Sequence, residues 1–413
     1  MITGTKIRAG LIGAKLGHSF SPRIHAALAD YPYELIELEE DQVGKFLKSG
    51  AFDALNVTIP YKKTVIPFLD EITPVAQRIG AVNTVVRRPD GTLIGHNTDY
   101  DGFADLVRAL GVSLEGKKVL VLGSGGASRT AVTVATDMGA RAVVVISRNG
   151  EDNYDNLERH VDAEVIINAT PVGMYPKNGV APLSLAKFPA LEGVLDMIYN
   201  PARTELLLEA EALGIPHKNG LLMLVSQARR AAEMFLEQPI ADTEVERITR
   251  EIAKDTENII LIGMPGCGKS TLGRLIAERT GRTFADCDAE IVKAAGKPIP
   301  QIFAEEGEES FRAKETAALA ELCKQSGLVI ATGGGVVTRE RNLPLMHQNG
   351  RILFLDIAPD RLPTDGRPLS QARSPAVLYA ERLPLYRHAA DTILPISRNV
   401  EENMQKILEV LNV

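Results

Sequence analysis

The sequence predicts an α/β protein with two successive nucleotide-binding parts, on three observations. Short apolar runs alternate with amphipathic helical segments along almost all 413 residues, the pattern of sheets covered by helices. A glycine turn, Gly123-Ser124-Gly125-Gly126-Ala127-Ser128, follows the run 117-KKVLVL-122. A second loop, Gly263-Met264-Pro265-Gly266-Cys267-Gly268-Lys269-Ser270, closes the run 259-IILIG-263 and fits G-x-x-x-x-G-K-[ST] in full.

Taken in order, the predicted strands are 7-IRAGLI-12, 34-ELIEL-38, 54-ALNVTI-59, 117-KKVLVL-122, 141-RAVVVIS-147, 163-AEVIINA-169 and 194-VLDMIY-199. Helical spacing covers 203-RTELLLEAEALG-214, with Gly214 as its C-cap. The crossover from Arg148 to the following strand is only about a dozen residues, so its helix is short or missing. After Pro239 a charged helix, 241-ADTEVERITREIAKD-255, leads into the strand before the second loop. That strand opens a further α/β unit running to the last residue. No Gly/Ser-rich or Pro-rich linker and no internal repeat separates the parts.

Composition narrows the function classes. The length suits two or three domains. Net charge is -7 and no long basic block occurs, which argues against a nucleic-acid partner. Small anionic ligands fit better, since a few placed arginines bind them at any net charge. The three cysteines, Cys267, Cys287 and Cys323, make no disulfide framework. No apolar run has the length of a membrane helix, and the first residues carry no signal-peptide pattern. The expectation is a soluble cytoplasmic protein with small-molecule partners and no membrane or nucleic-acid role. Oligomeric state has no signal in the sequence.

The second loop follows a strand and opens a helix, the context its motif requires. Gly263, Gly266 and Gly268 let backbone amides close around phosphates, Lys269 neutralises the β and γ phosphates, and Ser270 ligates Mg²⁺. Cys267 occupies a variable position as a small filler, and Thr271 completes the nucleotide-binding turn. Behind the loop come 284-FADCDAEI-291, with Asp286 and Asp288 at alternate positions of a strand end, then 311-FRAKE-315, 332-TGGGVV-337, 366-GRPL-369 and 382-RLPLY-386. Singly these read as solvated acids, a surface arginine and a turn.

In this order behind a P-loop, they resemble shikimate kinase, over roughly residues 257–413. The resemblance implies ATP and Mg²⁺ as cofactors. It implies that Asp288 orients or deprotonates the attacking hydroxyl and Asp286 acts on the Mg²⁺ shell. Arg312 and Arg382 would clamp the substrate carboxylate, a task for a planar bidentate donor. Gly333, Gly334 and Gly335 would admit the substrate to backbone amides. Arg367 would reach the transferring phosphoryl group from a lid. The chain from Pro359 to Arg367 is several residues shorter than the family pattern, so the helix before the lid is truncated. Arg361 and Arg398 are the candidates beside adenine.

The first loop follows a strand and opens a helix as a Rossmann turn does, although Ser128 departs from G-x-G-x-x-G/A. The next strand tip, 144-VVISRN-149, holds Ser147 and Arg148 where an acid would favour NAD. These suit a 2′-phosphate and therefore NADP, with Glu151 and Asp152 slightly later as opposing charges. Ser19 and Ser21 lie two apart, so in an extended segment both hydroxyls face one side. Lys62 in isolation reads as a solvated lysine. Asp99 reads as a cap for the helix Tyr100–Leu110.

The combination of 17-GHSFSP-22, 56-NVTIPYK-62, 81-AVNT-84, 95-GHNTD-99, 168-NATPVGM-174, 196-DMIYNP-201 and 220-GLLMLVSQA-228 resembles shikimate dehydrogenase, over roughly residues 5–240. The resemblance implies that Lys62 and Asp99 form the proton-transfer pair and that Ser19 and Ser21 hold the substrate carboxylate. Asn56, Thr58, Asn83, Tyr199 and Gln227 would partner a polyhydroxy ring. Gly123, Ser124, Gly125, Gly126, Ala127, Ser147 and Arg148 would bind NADP, with Asn168, Thr170, Gly220 and Met223 bordering the nicotinamide.

The expected architecture is a substrate-binding α/β domain over residues 1–100 completed by 223–255, a Rossmann-like NADP domain over 101–222, and a P-loop kinase domain of nucleoside-monophosphate-kinase type over 257–413. The expected function is NADPH-dependent reduction of 3-dehydroshikimate to shikimate, then MgATP-dependent phosphorylation of shikimate. Four alternatives stand beside it: a quinate dehydrogenase, a different small-molecule kinase, a metabolite sensor that has lost turnover, and a half-active enzyme, the last because the cofactor crossover and the kinase lid are both short. Arg148 weighs against the first, the Asp288, Arg312 and Arg382 set against the second, and the presence of Lys62, Asp99 and Lys269 against the third.

Overall fold

The computed structural model describes residues 7–17, 19–362 and 374–412. It divides into two compact units. One comprises residues 1–174, 180–199 and 209–252, the other residues 175–179, 200–208 and 253–413.

Two sheets build the first unit. The first contains β1 (Ala9–Gly13), β2 (Tyr33–Glu37), β3 (Ala54–Val57), β4 (Glu71–Ile72), β5 (Thr84–Arg87) and β6 (Leu93–His96), in the spatial order β2-β1-β3-β5-β6-β4. It is mixed: β1 lies parallel to β2 and β3, whereas β5 runs antiparallel to β3 and β6. The register sets Asn56 opposite Thr84. Helices α1 (Ser21–Leu28), α2 (Glu40–Lys48) and α3 (Pro74–Ile79) belong to this part. All residues of β1 and β3 are buried, as central strands covered on both faces must be.

The second sheet is wholly parallel, in the order β11-β10-β9-β7-β8. Its strands are β7 (Lys118–Leu122), β8 (Ala142–Ile146), β9 (Val165–Asn168), β10 (Gly193–Asp196) and β11 (His217–Lys218). Strand order reverses at β7, which puts the ligand crevice at its carboxyl end. Only a 3₁₀ turn, Leu157–His160, lies between β8 and β9, so this crossover lacks the usual helix. α4 (Asp99–Leu110) packs against both α5 (Gly126–Asp137) and α7 (Leu221–Leu236). α6 (Glu205–Ala212) and α8 (Asp242–Thr256) follow β10 and α7 in the chain.

The second unit holds one parallel sheet in the order β13-β14-β12-β15-β16. The strands are β12 (Asn258–Ile262), β13 (Thr283–Asp286), β14 (Leu328–Ala331), β15 (Gly350–Asp356) and β16 (Thr392–Pro395). The helices are α9 (Lys269–Thr280), α10 (Cys287–Ala295), α11 (Ile299–Cys323), α12 (Asn342–His347), α13 (Pro375–Ala389) and α14 (Val400–Leu411). β12 is central and fully buried, and the loop at its carboxyl end leads into α9. Among the described residues no helix is long and apolar enough to cross a membrane.

Residues 175–179 and 200–208 join this unit through a buried glutamine. The Gln348 carbonyl accepts from the Arg203 amide at 2.8 Å, and its side chain meets Asn178 at 2.5 Å and Glu205 at 3.4 Å. The Arg203 guanidinium donates to the Gly350 carbonyl at 2.9 Å, and the Tyr175 hydroxyl to that of Cys323 at 2.9 Å.

Candidate active sites

In the first unit, Lys62 stands in a tight turn after β3. Its neighbour Tyr61 is buried and donates to the Leu38 carbonyl at 2.5 Å, while the Val82 amide donates to the Lys62 carbonyl at 2.8 Å. Thr98, not Asp99, occupies the N-cap of α4. Asp99 lies in the first turn, where the helix dipole favours a carboxylate. The Lys62 ammonium reaches Asp99 Oδ2 at 2.6 Å, with 28% and 17% of the two side chains exposed. Asp99 Oδ1 accepts from Asn83 Nδ2 at 2.9 Å, and Asn83 Oδ1 accepts from the Thr98 amide at 2.7 Å. The pair is thus aimed by a buried amide.

Asn56 sits beneath this layer rather than in it. Its Oδ1 accepts from the Tyr33 hydroxyl at 2.8 Å, and its Nδ2 donates to Thr84 Oγ1 at 3.1 Å, so its amide is committed to protein neighbours. The segment of Ser19 and Ser21 is not extended. Phe20 is helical in conformation at the N-cap of α1, so Ser21 is the first helical residue, Pro22 the second, and the Ser21 amide donates to Ser19 Oγ at 3.2 Å. Both serines and Thr58 are half-buried. Tyr199 is half-buried and meets Phe20 edge-on at 6.1 Å. Gln227 comes within 3.5 Å of Thr98 Oγ1. Gly102 makes this possible: a Cβ there would meet the Met223 carbonyl at 2.7 Å and the Gln227 amide at 3.0 Å. Gly102 carries no motif, which is why sequence reading passes over it.

At the dinucleotide loop, Gly123 has φ +102° and a Cβ would crowd Thr170 and the Ala169 carbonyl. Ser124, Gly125, Gly126 and Ala127 are exposed, and Cβ atoms added to the two glycines would meet nothing within 4 Å. No side chain caps α5, so its first-turn amides fit a pyrophosphate. Ser147 and the exposed Arg148 follow β8. Asp152 turns to His160 at 2.8 Å. Asn168 is fully buried, donating to Asp196 at 3.0 Å and accepting from Thr170 at 2.7 Å. A Cβ on Gly220 would meet the Met197 carbonyl at 2.2 Å. Asn168 and Gly220 are therefore tied into the scaffold, and half-buried Met223 presses its carbonyl against Gly102.

In the second unit, Gly263, Gly266 and Gly268 have φ of 146°, 86° and 95°. The buried Lys269 ammonium donates to the Gly263 and Met264 carbonyls at 2.8 and 3.0 Å. Cys267 is buried as a filler with its sulfur 3.8 Å from that ammonium, and Thr271 is exposed. Ser270 donates to Asp286 Oδ2 at 2.6 Å. Asp286 also caps α10, accepting from the Asp288 and Ala289 amides at 3.0 and 3.4 Å. The strand therefore ends at Asp286, and Asp288 projects from the first turn of a helix rather than from the strand.

The glycine triplet is where this site converges. A Cβ on Gly333 would meet Glu315 Oε1 at 2.2 Å and Asp288 Oδ1 at 3.2 Å, and one on Gly335 would meet Arg312 Nη1 at 2.1 Å. A Cβ on Gly334 would meet Pro265 of the phosphate loop at 2.6 Å. Arg312 pairs with Glu315 at 2.8 Å, their side chains 6% and 1% exposed. Burial pushes the Glu315 carboxyl up and the Arg312 guanidinium opposes it. Arg382 donates to the Gly334 carbonyl at 3.0 Å, which also accepts from the buried Tyr386 hydroxyl. Sequence reading misses Glu315 and Tyr386, although each lies one helical turn beyond a predicted arginine. Arg361 ends a single 3₁₀ turn, Pro359–Arg361, and like Arg398 is exposed. Arg367 lies outside the described residues.

A family model for shikimate kinase matches residues 265–412, and one for the shikimate dehydrogenase substrate binding domain matches residues 11–85. The NADP(+) shikimate dehydrogenase of Clostridium perfringens strain SM101 is 36% identical over 264 residues, 59% of this chain and 97% of that protein. The crystal structure of a chorismate mutase/shikimate 5-dehydrogenase fusion protein from Clostridium acetobutylicum is 36% identical, with a TM-score of 0.57 over 60% of this chain and 97% of that one. A shikimate 5-dehydrogenase from Thermus thermophilus, solved in complex with shikimate, is 32% identical, with a TM-score of 0.53 over 60% of this chain and 98% of that one. The chain belongs to the shikimate dehydrogenase family and continues into a shikimate kinase domain, a fusion of two enzymes of the shikimate pathway.

Proposed function

We propose that the first unit reduces 3-dehydroshikimate to shikimate with NADPH and that the second phosphorylates shikimate with MgATP. The observation that carries the reading is the Lys62–Asp99 pair at 2.6 Å, aimed by Asn83, on the chain that also joins Asp288 and Arg312 around Gly333–Gly335.

Bound NADPH supplies the hydride to the carbonyl carbon. The Lys62 ammonium gives a proton to the carbonyl oxygen as negative charge gathers there, and Asp99 holds the ammonium in line. The C=O double bond becomes a CH–OH, with the proton replaced from water. Ser19 and Ser21 hold the substrate carboxylate by hydroxyl donors, and Thr58, Tyr199 and Gln227 face the ring hydroxyls, while Asn83, its amide committed to Thr98 and Asp99, acts by holding Asp99. The open amides of Gly125 and Gly126 suit the pyrophosphate, and Arg148 suits the 2′-phosphate.

In the second unit, ATP supplies the phosphoryl group and Mg²⁺ offsets its charge. Ser270 and Asp286 fit the ion as a hydroxyl and a carboxylate 2.6 Å apart. Among the described residues no cluster of three or more His, Cys, Asp or Glu could hold a metal, so phosphate oxygens and water would complete the shell. Asp288 accepts the hydroxyl proton as the oxygen attacks phosphorus. Arg312 and Arg382 grip the carboxylate, and Lys269 stabilises charge on the phosphates. Arg367 is assigned to the transferring group from sequence alone.

The test mixes the full chain with 3-dehydroshikimate and NADPH, follows absorbance, then adds MgATP. Loss of NADPH followed by formation of shikimate 3-phosphate is expected. No turnover in either stage would favour a sensor.

A further inference from the structure

Beneath the Lys62–Asp99 pair runs a file of neutral polar groups of which the mechanism uses only Asn83. The Tyr33 hydroxyl donates to Asn56 Oδ1 at 2.8 Å. Asn56 Nδ2 donates to Thr84 Oγ1 at 3.1 Å and at 3.4 Å to the Asn83 carbonyl, and Thr84 Oγ1, 3.2 Å from Thr98 Oγ1, donates to Asn83 Oδ1 at 3.1 Å. Asn83 Nδ2 donates to Asp99 Oδ1 at 2.9 Å. Every donor in this file points the same way, from the phenol to the carboxylate. An amide has distinct donor and acceptor ends, so the sense of each link fixes the next. The β3–β5 register, which sets Asn56 opposite Thr84, builds the crossing.

The phenol at the head has no other role in sight, and its surroundings fix it. The Tyr33 ring stacks on His25 at 4.0 Å with 12° between the planes, and Phe235 stacks on His25 at 5.8 Å. His25 is fully buried, and burial lowers its pKa to about 3, so the ring against Tyr33 is neutral. Burial likewise drives the Tyr33 pKa well above its usual value, so the phenol keeps its proton. Its oxygen also meets the Ser21 hydroxyl. One phenol therefore touches both a carboxylate-binding serine and the file that ends on Asp99.

We propose that Tyr33 is a positioning residue for the reduction: its single hydroxyl proton sets the orientation of Asn56, and through Thr84 and Asn83 the aim of Asp99 at Lys62. This rests on the dehydrogenase reading above. Without the phenol proton, the Asn56 amide can turn its oxygen toward Thr84. The Thr84 proton then follows it, and Asn83 loses one of the groups that hold its own amide toward Asp99. Ser21, released from the phenol oxygen, still has its hydroxyl for a carboxylate.

The test is steady-state reduction of 3-dehydroshikimate by the full chain carrying Tyr33→Phe, Thr84→Val, or both. Tyr33→Phe is expected to lower kcat about tenfold and to leave KM for the substrate within about twofold. Because both residues act through one file, the double variant is expected to be little slower than Thr84→Val alone. Kinase turnover on added shikimate reports that the second unit is intact. A wild-type kcat in Tyr33→Phe, or effects of the two substitutions that multiply, would overturn the positioning role alone. Failure of the unaltered chain to reduce 3-dehydroshikimate would overturn the functional reading, and the proposal with it. If Tyr33→Phe lowers kcat only by unfolding, kcat per folded molecule, counted by NADP titration, returns to wild type and the proposal also fails.

Discussion

The two sites solve a similar recognition problem with different materials. In the first unit the hydrogen-bonded groups behind the Lys62–Asp99 pair are neutral: Asn83, Thr98, Thr84 and Asn56. In the second, Arg312, Glu315, Asp288 and Arg382 crowd one glycine triplet. The difference follows the chemistry. A carbonyl reduction moves one proton and one hydride, so a single ion pair held by directional amides suffices. Phosphoryl transfer gathers negative charge from a nucleotide and an acid, and only a dense set of cations offsets it. A neutral site is fixed by hydrogen-bond direction. A charged one is fixed by balance, and it fails when one partner is removed.

The widest separation between the two should come from their lysines. Lys62→Ala is expected to lower reduction by about 10² to 10⁴ and to leave kinase turnover on added shikimate intact. Lys269→Ala should do the reverse. One substitution that silenced both reactions would break the comparison.

Next is the balance within the kinase site. Glu315→Gln removes the buried partner of the Arg312 guanidinium and leaves it only the exposed Glu308 at 3.2 Å, which costs about 3 kcal/mol where a charge is buried. Lower thermal stability and a raised KM for shikimate are expected. A variant with unchanged stability and KM would show that the pair is not the keystone.

A smaller effect tests a charged residue at the dinucleotide loop of the first unit. Arg148→Ala should raise KM for NADPH roughly tenfold, the worth of a charge-assisted hydrogen bond, with little change for NADH. Equal losses with both cofactors would separate Arg148 from the 2′-phosphate.

The gentlest test uses His25. Its folded pKa, about 3, lies below the ordinary 6.5, so the unfolded chain takes the proton first. This contribution to stability is complete above about pH 6.5 and falls as pH drops toward 3, at about 1.4 kcal/mol per pH unit. Denaturant titrations of wild type and His25→Gln across that window should diverge by this slope. Parallel curves would mean that His25 takes a proton in the folded state.

Most of the α/β order was legible, because apolar runs such as 259-IILIG-263 become buried parallel strands. The P-loop was legible for a stronger reason: its motif fixes backbone conformation as well as residue type. What the sequence hid was which polar groups are already satisfied. Asn56 and Asn168 look like ligand partners by type, yet both amides are bonded within the protein. Asp288 lies on a helix rather than a strand because Asp286 caps α10, and capping competes with strand extension at such a position. Gly102 was silent because a close backbone approach has no periodicity.

The seam of this gene and the seam of its fold fall in different places. A cloner reading family boundaries would start the kinase near residue 257 and discard what comes before. Tyr175, Asn178, Arg203 and Glu205 would go with it, and they partner Cys323, Gln348 and Gly350. Such a fragment would present the buried Gln348 side chain to water. Two enzyme domains are here one molecule that scissors at the obvious codon would wound.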